Sequence, residues 1–461
     1  MTGQSSDNGF ARFRAAFQTA LLAAMPEHVA RMGWGTQRIE AHQREGFRTL
    51  LAHAVARSAF HRRRLAGIDP ERFELADLAR LPIMTKREMM ADLDGVFCDS
   101  RLTAALVERA LGATTSEPVP ILDRYVALAS GGSSGQRGVF VLDRDALLQF
   151  VGSLIRPLMA RLLASGSPPP EGMRIAIVAA ASAVHATGSA PALTAGDRMP
   201  FRFLSVPVTM PLPQMVERLN ALQAPGLSGY PSMLARLAAE QRAGRLRIAP
   251  QVVTSTSETL LPGLRAAIAE GFGVPVVDMF GSTEGLVGSS APDEAVLTFN
   301  SDACIVEFVD ERNRPVAPGT PSAKVLVTNI ANRVQPLIRY EMTDSFVREA
   351  DAPDSGHVRA TVEGRSDDML RYEGIDVHPL VIRAVMVKAA EVIDYQVRQT
   401  RRGVDVTAVA PPALDVDRLR AGLATALDAA GLPRPEVTVR AVAALERHPE
   451  TGKVRRFVPL A

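Results

Sequence analysis

"VVTSTSETLLPGLRAAIAEGFGVPVVDMF", residues 252–280, holds one full unit of the chain's organising pattern. Its ends, "VVTST" (252–256) and "PVVDMF" (275–280), are short runs rich in β-branched residues, and 262–271 between them has helical spacing of apolar positions. A continuous apolar run bounded by turn residues reads as a buried strand; apolar residues three and four apart read as a helix. Strand, helix, strand at this spacing predicts a βαβ unit of a parallel sheet.

Working outward, the alternation continues. Strands fit "RYVALAS" (124–130), "GVFVL" (138–142), "RIAIVAAA" (174–181) and "RFLSVPV" (202–208), with helices at 143–164, 213–223 and 231–243. The fold class is therefore α/β, a large multi-sheet domain. Residues 10–68 predict two helices, and "LARLPIMTKREMM" enters another with Thr85 as N-cap and Glu88 three residues on. Residues 301–349 change character: "CIVEFVD", "AKVLVTN" and "SFVRE" predict a small antiparallel barrel or sheet. "EGRSDDMLRYEGIDVHP" (363–379) is a charged connector, and a compact α+β pattern follows it. The division expected is 1–365, with the β subdomain inside it, and 366–461.

The bulk numbers exclude several classes. The 461 residues are 47% apolar and 22% charged, with 52 basic against 50 acidic side chains and a net charge of +2. Nothing there argues for nucleic acid or an anionic membrane as partner. Only Cys98 and Cys304 are present, so no disulfide framework or cysteine-rich metal site is available. The first residues lack the apolar core of a signal peptide, and the expectation is a cytoplasmic protein. Only four lysines occur, Lys86, Lys324, Lys388 and Lys453, in a chain that otherwise uses arginine. A lysine here is a candidate for chemistry that needs a compact point charge.

Five loops carry possible chemistry. "ASGGSSGQRGVF" (129–140) places Ser130, Gly131, Gly132, Ser133, Ser134 and Gly135 before a strand. Free backbone N–H groups and hydroxyls suit a phosphate cradle; the alternative is a solvent loop. "DMFGSTEG" (278–285) ends in Ser282, Thr283 and Glu284, two hydroxyls for a phosphate and a carboxylate for Mg²⁺; the alternative is a helix N-cap with an acidic first turn. Asp344 in "PLIRYEMTDSF" (336–346) can grip a ribose diol or cap a turn. "GRSDDML" (364–370) sets an arginine and two aspartates at the domain boundary. "HPETGKVRRF" (448–457) places Lys453 on a glycine turn; the alternative is a solvated basic tail.

In this order, the five pieces resemble the motifs of the adenylate-forming superfamily, the acyl-CoA ligases, luciferases and nonribosomal adenylation domains, and most of all its phenylacetate–CoA ligase branch. That branch has an "SSGTTGKP"-like loop, "DxYGxSE", "PLIRYRTGD" and "GRxDDMLxxxGxNVxP"; here they read "SGGSSGQRG", "DMFGSTE", "PLIRYEMTD" and "GRSDDMLRYEGIDVHP". The resemblance runs from about residue 40 to residue 457.

It implies that a carboxylate attacks the α-phosphate of Mg·ATP, pyrophosphate leaves, and a thiol captures the acyl-adenylate. Ser130–Gly135 would hold the β- and γ-phosphates, Thr283 would touch the α-phosphate, and Glu284 would bind Mg²⁺. Asp344 and Arg365 would hold the ribose, Ser257 and Glu258 would line the adenine and acyl pocket, and Asp278, Met279 and Phe280 would pack on the base beside Gly281. Lys453 would bridge carboxylate and α-phosphate, carried by a mobile C-terminal domain hinged at Asp367, with Gly374 beside a pantetheine channel. Gly229, Tyr230, Gly281 and His185 fall where relatives line the acid pocket, as contacts or as plain structural residues.

The chain departs from the branch at Arg137 and Gly138, where Pro and Lys are usual, at Phe280 for Tyr, at Met342-Thr343 for Thr-Gly, and at Glu341 for Arg. The leading expectation is an aryl-acid:CoA ligase. The alternatives are an enzyme that loads the phosphopantetheine of an acyl carrier protein, one that activates nitrite to diazotise an aryl amine, and a nucleotide-binding protein without activity. The last predicts loss of Lys453, which is retained. A homodimer is possible on the same resemblance.

Overall fold

The structure is a computed structural model that describes residues 4–130, 137–164, 172–365, 369–377, 379–386, 388–389, 391–411, 414–448 and 453–460. Six residues of the Gly/Ser loop, 131–136, and the expected hinge Asp367 lie outside the described residues.

A nine-stranded mixed sheet organises the large part of the chain. Phe201–Pro207, Met173–Ala179, Gly226–Gly229, Val252–Thr256 and Val276–Gly281 lie side by side in that order, all parallel. Val287–Ser290, Leu297–Phe299, Arg359–Arg365 and Asp344–Arg348 extend the sheet antiparallel. The βαβ unit of the opening stretch is present, with its helix at Pro262–Phe272. The parallel strands are covered by helices, so they read as near-continuous apolar runs such as the buried Ile175–Ala179.

Several elements differ from expectation. The strand Gly226–Gly229 was not foreseen, because "GLSG" has no β-branched residue; its place at the centre of the sheet overrides its low propensity. Among the described residues, Tyr125–Ala129 and Val139–Asp143 form a two-stranded antiparallel sheet of their own. Within 301–349, Cys304–Val309, Lys324–Asn329 and Leu337–Met342 form a three-stranded antiparallel sheet, whereas Asp344–Arg348 leaves it for the edge of the large one. The N-terminal stretch holds three helices, Gln4–Arg31, Thr36–Arg57 and Ala59–Arg64. Thr85 caps as expected, in a reciprocal box with Glu88.

After residue 369, a hairpin (Leu370–Tyr372 with Ile375–Val377) leads to a four-stranded sheet in the order Glu436–Val442, Gly403–Val409, Asp394–Gln399, Phe457–Val458. Pro379–Met386 and Val416–Ala429 are its helices. Its core residues Val397, Val406, Leu423 and Phe457 are continuous with Leu234, Val253 and Ile268 of the large sheet's layer. The C-terminal part is therefore seated on the helix face of the parallel strands, on the same side as Pro231–Arg242 and Pro262–Phe272.

Candidate functional site

In an open α/β sheet, ligands bind in the crevice outside the carboxyl ends of the strands, where the strand order reverses. Here the chain leaves Met173–Ala179 for Phe201–Pro207 on one side, then returns to Gly226–Gly229 on the other. The crevice lies beyond Ala179 and Gly229. Of the expected residues, Gly229 and Tyr230 stand at that edge, with Lys453 against Tyr230.

Tyr230 follows directly on Gly229 and is fully buried. Its hydroxyl accepts the Ala180 N–H at 3.2 Å, which ties the ends of the two diverging strands together. Burial raises the phenol above its ordinary value, so it stays protonated. Lys453 Nζ stands 5.9 Å from the Tyr230 ring centroid, within cation–π range. Lys324, by contrast, is committed to Glu341 at 2.5 Å, at one of the positions where the chain departs from the ligase pattern.

The strand Val252–Thr256 ends in Ser257, whose φ of +69° is unusual for a non-glycine residue. The next side chain, Glu258, turns toward the C-terminal segment. One carboxylate oxygen accepts the Val454 N–H at 2.7 Å. The other accepts Ser232 through its N–H at 3.3 Å and through its hydroxyl.

"GSTEG" is not a helix start. It forms the tight turn between Val276–Gly281 and Val287–Ser290, so the capping alternative is excluded. Ser282 N–H donates to Leu286 O at 3.0 Å and Gly285 N–H to Ser282 O at 3.0 Å. Gly285 has φ +102°, and a Cβ there would lie 2.1 Å from Asn329 Nδ2, the atom that donates to the Glu284 carbonyl at 2.9 Å. Glu284 is 8% exposed, and its carboxylate accepts the Thr283 hydroxyl at 3.4 Å. The turn thus fixes a hydroxyl and a carboxylate side by side. Burial, with the Glu284 charge nearby, holds the Tyr340 phenol well above its usual range.

Asp344 and Arg365 are direct partners across the antiparallel strands Asp344–Arg348 and Arg359–Arg365. The register therefore brings together two residues far apart in sequence, and Asp344 is buried at the strand's start. Asp278 accepts the Ser255 hydroxyl at 2.5 Å, and burial raises its carboxyl above the ordinary value. Phe280 packs edge-on against Phe346 at 5.3 Å and Phe299 at 5.9 Å while staying partly exposed; Met279 is likewise partly exposed, and Gly281 ends the strand in the open.

His185 caps the helix Ala186–Leu193, and its Nδ1 lies 3.2 Å from Ala129 O, beside the entry to the Gly/Ser loop. Ser130 closes the base of that loop, its hydroxyl accepting Gly138 N–H at 2.8 Å. Arg137 forms an exposed ion pair with Glu108. Gly374, at φ +75°, sits in the two-residue hairpin turn with open space where a Cβ would be. Sequence reasoning passed over Ser232, Asn329 and Arg447. Their roles depend on partners distant along the chain, and no local motif marks them.

No family model matches the sequence. A phenylacetate-coenzyme A ligase of Thermus thermophilus is 25% identical over 386 residues, 80% of this chain and 79% of that protein. A second, from Aromatoleum evansii, is 25% identical over 137 residues, 29% of this chain and 31% of the other. A 2-hydroxyisobutyryl-CoA ligase in the postadenylation state, in complex with R3-HIB-AMP, superposes with a TM-score of 0.69 at 18% identity, covering 93% of this chain and 91% of that one. Over 80% of its length the chain is a distant homologue of a phenylacetate-coenzyme A ligase. Its homologues are AMP-forming CoA ligases. The same 2-hydroxyisobutyryl-CoA ligase, in complex with 2-HIB-AMP and CoA in the thioesterification state, superposes less well, with a TM-score of 0.57 over the same shares of the two chains. The adenylate-forming fold accounts for the large mixed sheet and the small C-terminal one. Among the described residues, no helix is long and apolar enough to cross a membrane.

Proposed function

We propose that the chain activates a carboxylic acid with ATP, releases pyrophosphate, and passes the acyl group from the acyl-adenylate to the thiol of CoA. The observation that carries this reading is the placement of Lys453, remote in sequence, against Tyr230 at the carboxyl ends of the parallel strands. Ammonium there can bridge an incoming carboxylate and an α-phosphate, whose shared negative charge builds up in the transition state.

In this reading Thr283 donates its hydroxyl to the α-phosphate from the 282–286 turn. Asp344 and Arg365 hold the ribose hydroxyls from paired strand positions. The partly exposed Phe280 offers a ring face to the adenine, with Asp278, Met279 and Gly281 framing it. The backbone of Ser257 and Glu258 forms the adjoining wall. Ser130–Gly135 wrap the β- and γ-phosphates. His185 and Tyr230 face the acid across Gly229.

Mg²⁺ suits the residues present. One buried carboxylate, Glu284, on a fixed turn fits an ion that takes one or two protein oxygens and fills the rest of its octahedron with phosphate and water. When bound, the ion would neutralise phosphate charge; Glu284 would orient it, and Thr283 would hold the phosphate that reacts.

Residues 366–461 act as a mobile lid that brings Lys453 in for adenylation and takes it away for thiol transfer, with Asp367 as hinge and Gly374 lining the thiol path. The better superposition on the postadenylation state supports an arrangement like the one that follows the first half-reaction. An aryl acid is the substrate class we favour, from the resemblance to the phenylacetate branch. Pyrophosphate exchange with one acid of an aryl, aminoaryl, fatty and amino acid panel, and a CoA thioester as product, is the expected outcome. Exchange without CoA transfer would replace CoA by a carrier protein, and exchange with nitrite alone would overturn the acid.

A further inference from the structure

The contacts of the Glu258 carboxylate point to a function that the nucleotide pocket does not need. Its side chain is 3% exposed, and both of its oxygens are engaged by protein donors. One accepts Val454 N–H at 2.7 Å, the residue immediately after Lys453. The other accepts Ser232. Arg447 closes the cluster from the C-terminal part, donating to Ser232 Oγ at 2.7 Å and standing 3.8 Å from the first Glu258 oxygen. The large domain thus contributes Glu258, just past the strand Val252–Thr256, and Ser232, in the first turn of the helix Pro231–Arg242 that follows the neighbouring strand, and the C-terminal domain contributes Arg447 and Val454 on either side of Lys453.

We propose that Glu258, Ser232 and Arg447 form an interdomain latch that positions Lys453 for adenylation and must open before thiol transfer. This rests on the ligase reading above for its consequence, though not for its geometry. The physical basis is that charge-assisted hydrogen bonds in a desolvated cluster are stronger than neutral ones and depend on direction. A carboxylate gripping the backbone N–H next to Lys453 fixes the start of that side chain more tightly than packing can. Ser257 supplies the setting, since its left-handed backbone aims Glu258 out of the sheet and across the domain gap. The residues are positioning residues; none needs to touch substrate.

Two measurements test the latch. The first uses no substrate: hydrogen exchange of the peptide that contains Val454, in the wild-type chain and in Glu258→Gln. The glutamine keeps one acceptor but loses the second and the charge that strengthens the Val454 bond, so the Val454 amide should exchange about fivefold faster or more, against little change in the large sheet. Unchanged exchange overturns the proposal. The second separates the half-reactions in Glu258→Gln and in Arg447→Met, the latter lying away from any nucleotide contact proposed above. Both should slow pyrophosphate exchange about tenfold or more, and in Arg447→Met the KM for ATP should stay nearly constant while transfer from supplied acyl-adenylate to CoA stays within about twofold or rises. Equal loss in both half-reactions, or loss in Glu258→Gln alone through a raised KM for ATP, would make Glu258 a structural or nucleotide-contacting residue. A wild-type chain that exchanges no acid yet keeps a slow Val454 amide would sink the ligase reading and leave the interdomain contact standing.

Discussion

Lys453 and Glu284 carry the chemistry proposed here through charge and placement, and each makes its own prediction. Lys453→Ala should lower ATP–pyrophosphate exchange by about two to three orders of magnitude while ATP binding persists, since the ammonium is needed most where two anionic groups, carboxylate and α-phosphate, are forced into bonding contact in the transition state. Retained exchange would mean that the approach of Nζ to Tyr230 is incidental. On the proposed reading, in which the buried Glu284 carboxylate on the 282–286 turn would hold the ion, Glu284→Gln should shift the magnesium titration of exchange to about tenfold higher concentration or more. Lys453 could be singled out as a candidate in the sequence because lysine is rare in this chain and the tail around it has a recognisable order. Arg447 was not, one arginine among many, and its meaning lies in Ser232 and Glu258, which only packing brings to it.

At the scale of the element, the 282–286 turn decides how Thr283 and Glu284 are set side by side. Gly285→Ala would set a Cβ at positive φ and against Asn329, the residue that holds the Glu284 carbonyl. We expect a loss of about 1–3 kcal/mol in unfolding free energy and a fall in exchange activity larger than that loss explains. Denaturant titration and exchange assays on the same preparation would check both. Local chemistry made elements legible wherever it was self-contained. The Thr85–Glu88 capping box could be read from four residues, and the Val252–Thr256 and Val276–Gly281 strands from their own apolar runs. Gly226–Gly229 could not be read, because it becomes a strand through its neighbours on both sides, and Asp344–Arg348 could be read as a strand but not as a member of the large sheet. The pairing of Asp344 with Arg365 follows from that membership.

Across the whole molecule, the C-terminal part shares a continuous core with the parallel-sheet layer, so docking and stability are linked. Buried histidines set a pH limit. His61 is fully buried, with Nε2 3.0 Å from the Pro336 carbonyl, and burial together with Arg64 lowers its pKa to about 4 from the ordinary 6.5. Above the ordinary value both states are neutral and His61 contributes nothing to pH dependence. As pH falls below it, the unfolded chain takes a proton that the folded one refuses, so stability declines until about pH 4, by about 3 kcal/mol in total. Urea titrations at pH 7, 6 and 5 should show a decline at least this steep, since burial also lowers the His28 pKa to about 4, and His61→Gln, which keeps a donor for Pro336, should remove the His61 share and leave the rest. The measurement closest to the central claim is ATP–pyrophosphate exchange by the wild-type chain across the acid panel, repeated with CoA. The account predicts magnesium-dependent exchange with one acid class and a CoA thioester once CoA is added; no exchange with any acid would contradict it.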